Sequence, residues 1–231
     1  MKQTTNQCVY CGSQASTTLD HVPPKSFYPE PRPSNLITVP TCLACNNSYG
    51  KDEEFFLATY MFSDAGVSPT GKKLWDQKLH RTFAKNRGLR RRIASLLRPV
   101  RLTTPSGIFL GRRIAIKQDE PNLAKVVEKI VRGLYFFEYN ERLDPAIKIV
   151  ALFLRSEEDA VEPMKFNNQL HYGSREWPNV FEYRFNRTIE KPEDSMWIIR
   201  FFGRIVYWAI SSNENEFLPI ENPSDNSTVA G

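Results

Sequence analysis

The chain has 231 residues, 41% of them apolar, with fifteen Phe, nine Tyr and four Trp. A core can be buried, which excludes intrinsic disorder for most of the chain, and the length suits one large domain or a small one plus a medium one. The net charge of +5 hides an asymmetry, because Lys72 to Arg113 holds thirteen Lys/Arg against one acid, a local balance of +12, while both flanks are mildly acidic.

Residues 1–54 lack long apolar runs and are rich in Cys, Pro, Asn, Ser and Thr. The N-terminal "MKQTTNQCVYCGSQ" has no apolar signal region, and no apolar stretch reaches the roughly 18 residues of a membrane span. A cytoplasmic protein with no membrane contact is expected. In that compartment paired cysteines point to metal before disulfides or redox pairs. All four cysteines fall in two C-x-x-C units, Cys8/Cys11 and Cys42/Cys45. Four thiolates make a closed, structural zinc site. The loop they clamp contains His21, which directly follows Asp20 and precedes Val22-Pro23.

The acid-led, apolar stretch 52–65 predicts a helix. Basic and apolar residues alternate over 71–98 at helical spacing, which predicts two helices broken near Gly88. Residues 100–118 read as two strands around a Pro-Ser-Gly turn. The i, i+3, i+4, i+7 pattern of Leu123, Val126, Val127, Ile130, Val131, Leu134 and Phe137 predicts a helix over 120–143. Strands are expected over 146–155, 180–187 and 196–211, the last bent into a hairpin at Gly203. The polar tail 213–231 is expected to fray. The fold class is thus α+β: a zinc-stapled module over 1–55, then residues 56–231 as an α+β domain of unknown role that opens on the helical basic segment 72–113.

The first 55 residues resemble the HNH (His–Asn–His, ββα-metal) endonucleases. The matching order is Cys8-x-x-Cys11, Asp20-His21-Val22-Pro23, Asn35-Leu36 and Cys42-x-x-Cys45-Asn46. The last position is Asn where the family usually has His. The resemblance implies a ββα-metal fold for the module and metal-dependent hydrolysis of phosphodiester bonds in DNA. It assigns His21 as general base and Asp20 and Asn46 as ligands of a catalytic Mg²⁺ or Mn²⁺, with Asn47 as the alternative amide. Asn35 is placed to hold the loop or orient the base, and equally to cap a turn. A neutral imidazole can take a proton from water near pH 7, and a hard divalent ion takes oxygen ligands. Family members serve in phage defence and mobile elements, so a defence nuclease is one expected setting.

The basic segment, with Trp75 and Phe83 interleaved, fits nucleic acid, and double-stranded DNA is the expected partner. Arg87, Arg90, Arg91 and Arg92 are the candidate phosphate contacts. Arg87, Arg90 and Arg91 can share a helix face, with Arg92 pointing elsewhere. A regulatory protein partner or a homodimer is a further option. His80 and His171 are taken as structural or solvated, and the aromatic residues of 134–139 and 197–208 as core. The competing function is a non-catalytic zinc-stabilised module that binds nucleic acid or protein.

Overall fold

The computed structural model describes residues 7–15, 18–117 and 120–213. Within them the fold is mixed α+β. The tail expected to fray lies, beyond Asn213, outside the described residues.

The first turn, Cys8 to Gly12, is closed by Gly12 N–H donating to Cys8 O at 2.9 Å. Gly12 sits at φ +76°, a conformation that costs a side-chain-bearing residue and that glycine adopts freely. Strand β1 (Thr18–His21) pairs antiparallel with β2 (Thr38–Thr41), with His21 opposite Thr38. Cys42 then caps helix α1 (Leu43–Ser48), its Sγ accepting from Cys45 N–H. Helix α2 (Gly50–Met61) follows at once, with Asp52 and Glu53 in its first turn, where acids favour the positive end of the helix.

The helix expected over 52–65 therefore ends earlier. Ser63 caps a separate 3-10 turn, Asp64–Val67. The boundary expected near residue 55 falls inside α2, whose Phe55, Phe56 and Tyr60 are buried. One apolar cluster runs from Cys8 and Val22 through α2 to Trp197 and Tyr207.

Helix α3 (Pro69–Leu74), a π turn (Trp75–Leu79) and helix α4 (His80–Lys85) carry the first half of the basic segment. The break expected near Gly88 comes two residues earlier, at Asn86. Asn86 leaves helical geometry and its side chain caps helix α5 (Arg87–Leu96), accepting from Leu89 N–H at 3.0 Å. A capping asparagine stops and restarts a helix, whereas one interior glycine only weakens it. The second half of the segment is not helical. Strands β3 (Leu97–Thr103) and β4 (Phe109–Ile116) pair only with each other.

Helix α6 (Glu120–Tyr139) is the central element, packed on α2, β2, β5 and β9. It stops short of residue 143 because Asn140 turns left-handed at φ +56°, a common helix ending. Strands β5 (Lys148–Leu154), β6 (His171–Tyr172), β7 (Phe181–Arg187), β8 (Ser195–Phe201) and β9 (Ile205–Ser212) form an antiparallel sheet in the order β5-β9-β8-β7-β6. Its inner residues alternate along β8 and β9, with Trp197, Ile199, Phe201, Tyr207 and Ala209 buried. Tyr139 of α6 meets Trp197 and Phe185 edge to face. The aromatic residues expected as core belong to it or pack on it, except Trp208, which is half-buried and outside the core cluster.

Two elements were not anticipated. Strand β6 is only two residues long. Helix α7 (Glu157–Lys165) opens on a capping box between Ser156 and Asp159, a signature that the sequence does carry. It lies over the outer face of the sheet beside an open cavity of about 660 Å³, lined by Arg155, Pro163, Arg184 and Arg200 among others. Among the described residues, no helix is long and apolar enough to cross a membrane.

Candidate metal centre and adjoining cluster

The two C-x-x-C turns meet. The Sγ atoms of Cys8, Cys11, Cys42 and Cys45 all lie within 4.8 Å of one another, and all four thiols are free. Cys11 Sγ and Cys42 Sγ are 3.8 Å apart. A tetrahedron with Zn–S bonds near 2.3 Å requires S···S separations of about 3.8 Å. The donor set therefore fits zinc.

The electrostatics agree with that fit. Burial alone would push the Cys8 thiol up. The Thr41 hydroxyl and the backbone N–H groups of Cys42, Cys11 and Tyr10 outweigh it, and its pKa falls to about 6. Cys45 is held up instead, by burial and then by the neighbouring thiols of Cys42, Cys11 and Cys8. Four crowded thiols cannot all ionise unaided, and a bound divalent cation removes that penalty.

Asn46 is the residue after the last cysteine. Its backbone N–H donates to Cys42 O at 3.0 Å. Its side-chain Nδ2 donates to Thr18 Oγ1 at 3.1 Å and to Leu19 O at 3.5 Å. The cysteine turn thus fastens α1 across β1. Among the described residues the Asn46 Oδ1 atom has no partner in the structure, while Asn47 is exposed.

Asp20 and His21 alternate across β1, as strand residues must. Asp20 points inward and is buried. Its Oδ2 accepts from Tyr10 Oη at 2.8 Å and lies 2.6 Å from Lys129 Nζ on α6. Lys129 also pairs with Glu53 of α2. The Tyr10 and Tyr49 rings flank the ammonium, with centroids at 5.6 and 5.1 Å. Burial raises the Glu53 carboxyl against the pull of Lys129. It also raises the Tyr10 hydroxyl, helped by Asp20, which keeps Tyr10 a donor.

His21, the last residue of β1, is half-buried. Burial and the Lys25 ammonium hold its imidazole below the ordinary value, against Asp20. It is therefore neutral at pH 7. Val22, next in the chain, lies against α6 at Gly133. A Cβ there would come within 2.5 Å of Val22 Cγ2, so glycine is what lets the helix support this loop.

Asn35 does not reach His21 by hydrogen bond. Its Oδ1 accepts from Trp177 Nε1 at 3.4 Å and its backbone O from Arg175 at 2.8 Å. It ties the loop to the segment leading into β7. In the basic segment, Arg87, Arg90 and Arg91 are exposed on α5. Arg92 is turned away, its guanidinium 3.5 Å from the centroid of the Phe55 ring, as the helical phase requires with Ile93 buried. Trp75 and Phe83 are not interleaved surface aromatics. They pack on Phe62 and on each other. His80 Nδ1–H donates to Trp75 O at 3.0 Å, and His171 meets the Phe185 ring.

Lys129 and Glu53 are the residues of this cluster that sequence reasoning passed over. The one available signal was density: residues 126–137, "VVEKIVRGLYFF", are apolar on too much of the helix circumference for a surface helix. The chain matches no family model, no curated protein and no solved structure.

Proposed function

We propose that this protein is a metal-dependent HNH-type endonuclease that hydrolyses phosphodiester bonds in DNA. The observation that carries the reading is the step from Cys45 to Asn46: the cysteine turn opens α1, and Asn46 is fastened to Thr18 and Leu19 of β1, the strand that also carries Asp20 and His21. That is the element order, strand, strand and helix, in which the sequence motif would work.

In this reading zinc on the four cysteines holds the module in register. His21, neutral at pH 7, takes the proton of the attacking water. Asp20 and Asn46 would hold a Mg²⁺ or Mn²⁺ ion, while Lys129 and Tyr10 fix the Asp20 carboxylate through Oδ2. When bound, such an ion supplies Lewis-acid stabilisation of charge on the phosphate. Asn35 anchors the loop through Trp177 and Arg175 rather than touching the reacting atoms. Arg87, Arg90 and Arg91 contact DNA phosphates from α5.

A second reading is a non-catalytic zinc module. The Asp20–Lys129 pair favours it, because that carboxylate already has a cation. One experiment separates the two. Supercoiled plasmid is incubated with the zinc-loaded protein, with and without Mg²⁺ or Mn²⁺, beside His21→Ala. Nicking that needs the added ion and is lost in His21→Ala supports the nuclease. Intact plasmid under every condition, or cleavage unchanged in His21→Ala, refutes it.

A further inference from the structure

The β3–β4 ribbon has no structural task that explains its composition. No residue from Arg98 to Ile114 is buried. Only its base, at Leu96 and Ile116, packs on the core. A two-stranded ribbon with both faces in solvent is marginal by itself. Yet this one exposes Leu102, Ile108, Phe109, Leu110 and Ile114. It also carries Arg98, Arg101, Arg112 and Arg113 and no acid.

The register adds a cost. Arg101 stands directly opposite Arg112, and like charges opposite one another on a strand pair are destabilising. Arg112 and Arg113 have no hydrogen-bond or ion-pair partner among the described residues. Arg101 lies over the Phe109 ring, 5.1 Å from its centroid. Arg98 donates to Ser95 O and Leu97 O, but a surface that sets the guanidinium groups of Arg101, Arg112 and Arg113 beside exposed apolar side chains and no acid complements a polyanion that also offers apolar edges. Helix α5 leads straight into β3, so Arg87, Arg90 and Arg91 continue the same positive surface.

We propose that the β3–β4 ribbon is a DNA-reading element that enters the major groove of B-form duplex DNA, with α5 on the flanking phosphates. This rests on the DNA-binding part of the reading above and names the form of nucleic acid it takes. The dimensions are compatible. The seven residues of β3 extend about 24 Å at ~3.4 Å each. The B-form major groove is about 12 Å wide and about 8.5 Å deep, and it admits a two-stranded ribbon. Arg101 and Arg112 on one face are placed for guanine O6 and N7, and the apolar side chains for thymine methyl groups. The major groove of duplex RNA is too narrow and deep to take the ribbon. DNA is therefore the partner chosen.

The test uses the full chain, zinc-loaded, as His21→Ala so that bound DNA stays intact. Binding to a duplex DNA and to the duplex RNA of the same sequence is measured across a salt series, and guanine N7 accessibility is read with dimethyl sulfate. Three proteins are compared: this parent, its Arg101→Gln/Arg112→Gln form, and its Arg87→Gln/Arg90→Gln/Arg91→Gln form. The parent is expected to prefer DNA and to protect guanine N7. The ribbon form should lose that protection and bind more weakly with the salt slope little changed, and the α5 form should keep the protection while flattening the slope by up to about three. The ribbon form should also melt no lower than the parent, since a repulsive pair has gone. A parent that binds no DNA sinks the DNA reading and the ribbon with it. DNA binding that survives unchanged in the ribbon form but weakens in the α5 form overturns the ribbon alone, as does equal affinity for the RNA duplex. Ribbon-dependent self-association without DNA protection makes the ribbon a protein interface and overturns the proposal.

Discussion

Lys129→Met removes the ammonium that pairs with both carboxylates of a buried cluster. The Lys129 side chain is 1% exposed, and the Asp20 and Glu53 side chains are 10% and 16% exposed. Methionine keeps the length and fills the space between the Tyr10 and Tyr49 rings, so the cavity term is small. What remains is uncompensated charge. Breaking a buried ion pair by deleting one partner costs about 3–5 kcal/mol, against a total stability on the order of 5–15 kcal/mol. At ~2–4 °C per kcal/mol for a chain of this size, the melting temperature should fall by about 6–20 °C. The loss should depend on pH. Glu53 is already raised by burial and loses the opposing pull of Lys129, so in the variant it protonates at a higher pH still. Its folded pKa lies above its unfolded one, so protonation stabilises the folded variant at low pH, and this relief disappears as pH rises through the folded value. The deficit should therefore be smaller at pH 5 than at pH 8. Thermal melting of zinc-loaded proteins at both pH values measures it. The triple form Lys129→Met/Asp20→Asn/Glu53→Gln should recover most of the loss, because neutral amides need no cation. A single variant that melts within about 1 kcal/mol of the parent, or a triple form no better than the single, would show that the pairing does not hold α6 to β1 and α2.

Metal analysis of protein purified without chelator should find one zinc per chain, and Cys11→Ser should lower both zinc content and melting temperature; a disulfide in either cysteine pair would contradict the centre. Asn46→Ala should raise the Mg²⁺ needed for half-maximal plasmid nicking by at least about tenfold, read from a metal titration, and unchanged dependence would remove Asn46 as a ligand. Gly133→Val should destabilise by about 1–3 kcal/mol through the clash with Val22, and adding Val22→Ala should return part of it; a denaturant titration of both forms decides this.

The four-cysteine cluster was legible from residue spacing, because two thiolates two residues apart can share one ion in a tight local turn. The central helix and the β8–β9 hairpin were legible for the same kind of reason: periodicity and turn residues act over a few positions. The stop at Asn86 needed the capping geometry, although the residue type was visible. Spacing could place Asp20 beside His21 in the chain, but not decide what its carboxylate meets. Lys129 reaches it from a helix in the other half of the molecule, and Glu53 joins from a third element. The same holds for Asn35, whose partners Arg175 and Trp177 lie far along the chain. Nor could charge counting separate α5 from the ribbon, since thirteen basic residues in one segment read alike whether they lie on a helix or on two strands. Local propensities act between near neighbours, so sequence alone determined the long helix, the hairpin turn and the cysteine cluster. Which charges are buried together depends on how distant elements pack, and only the tertiary structure decides that.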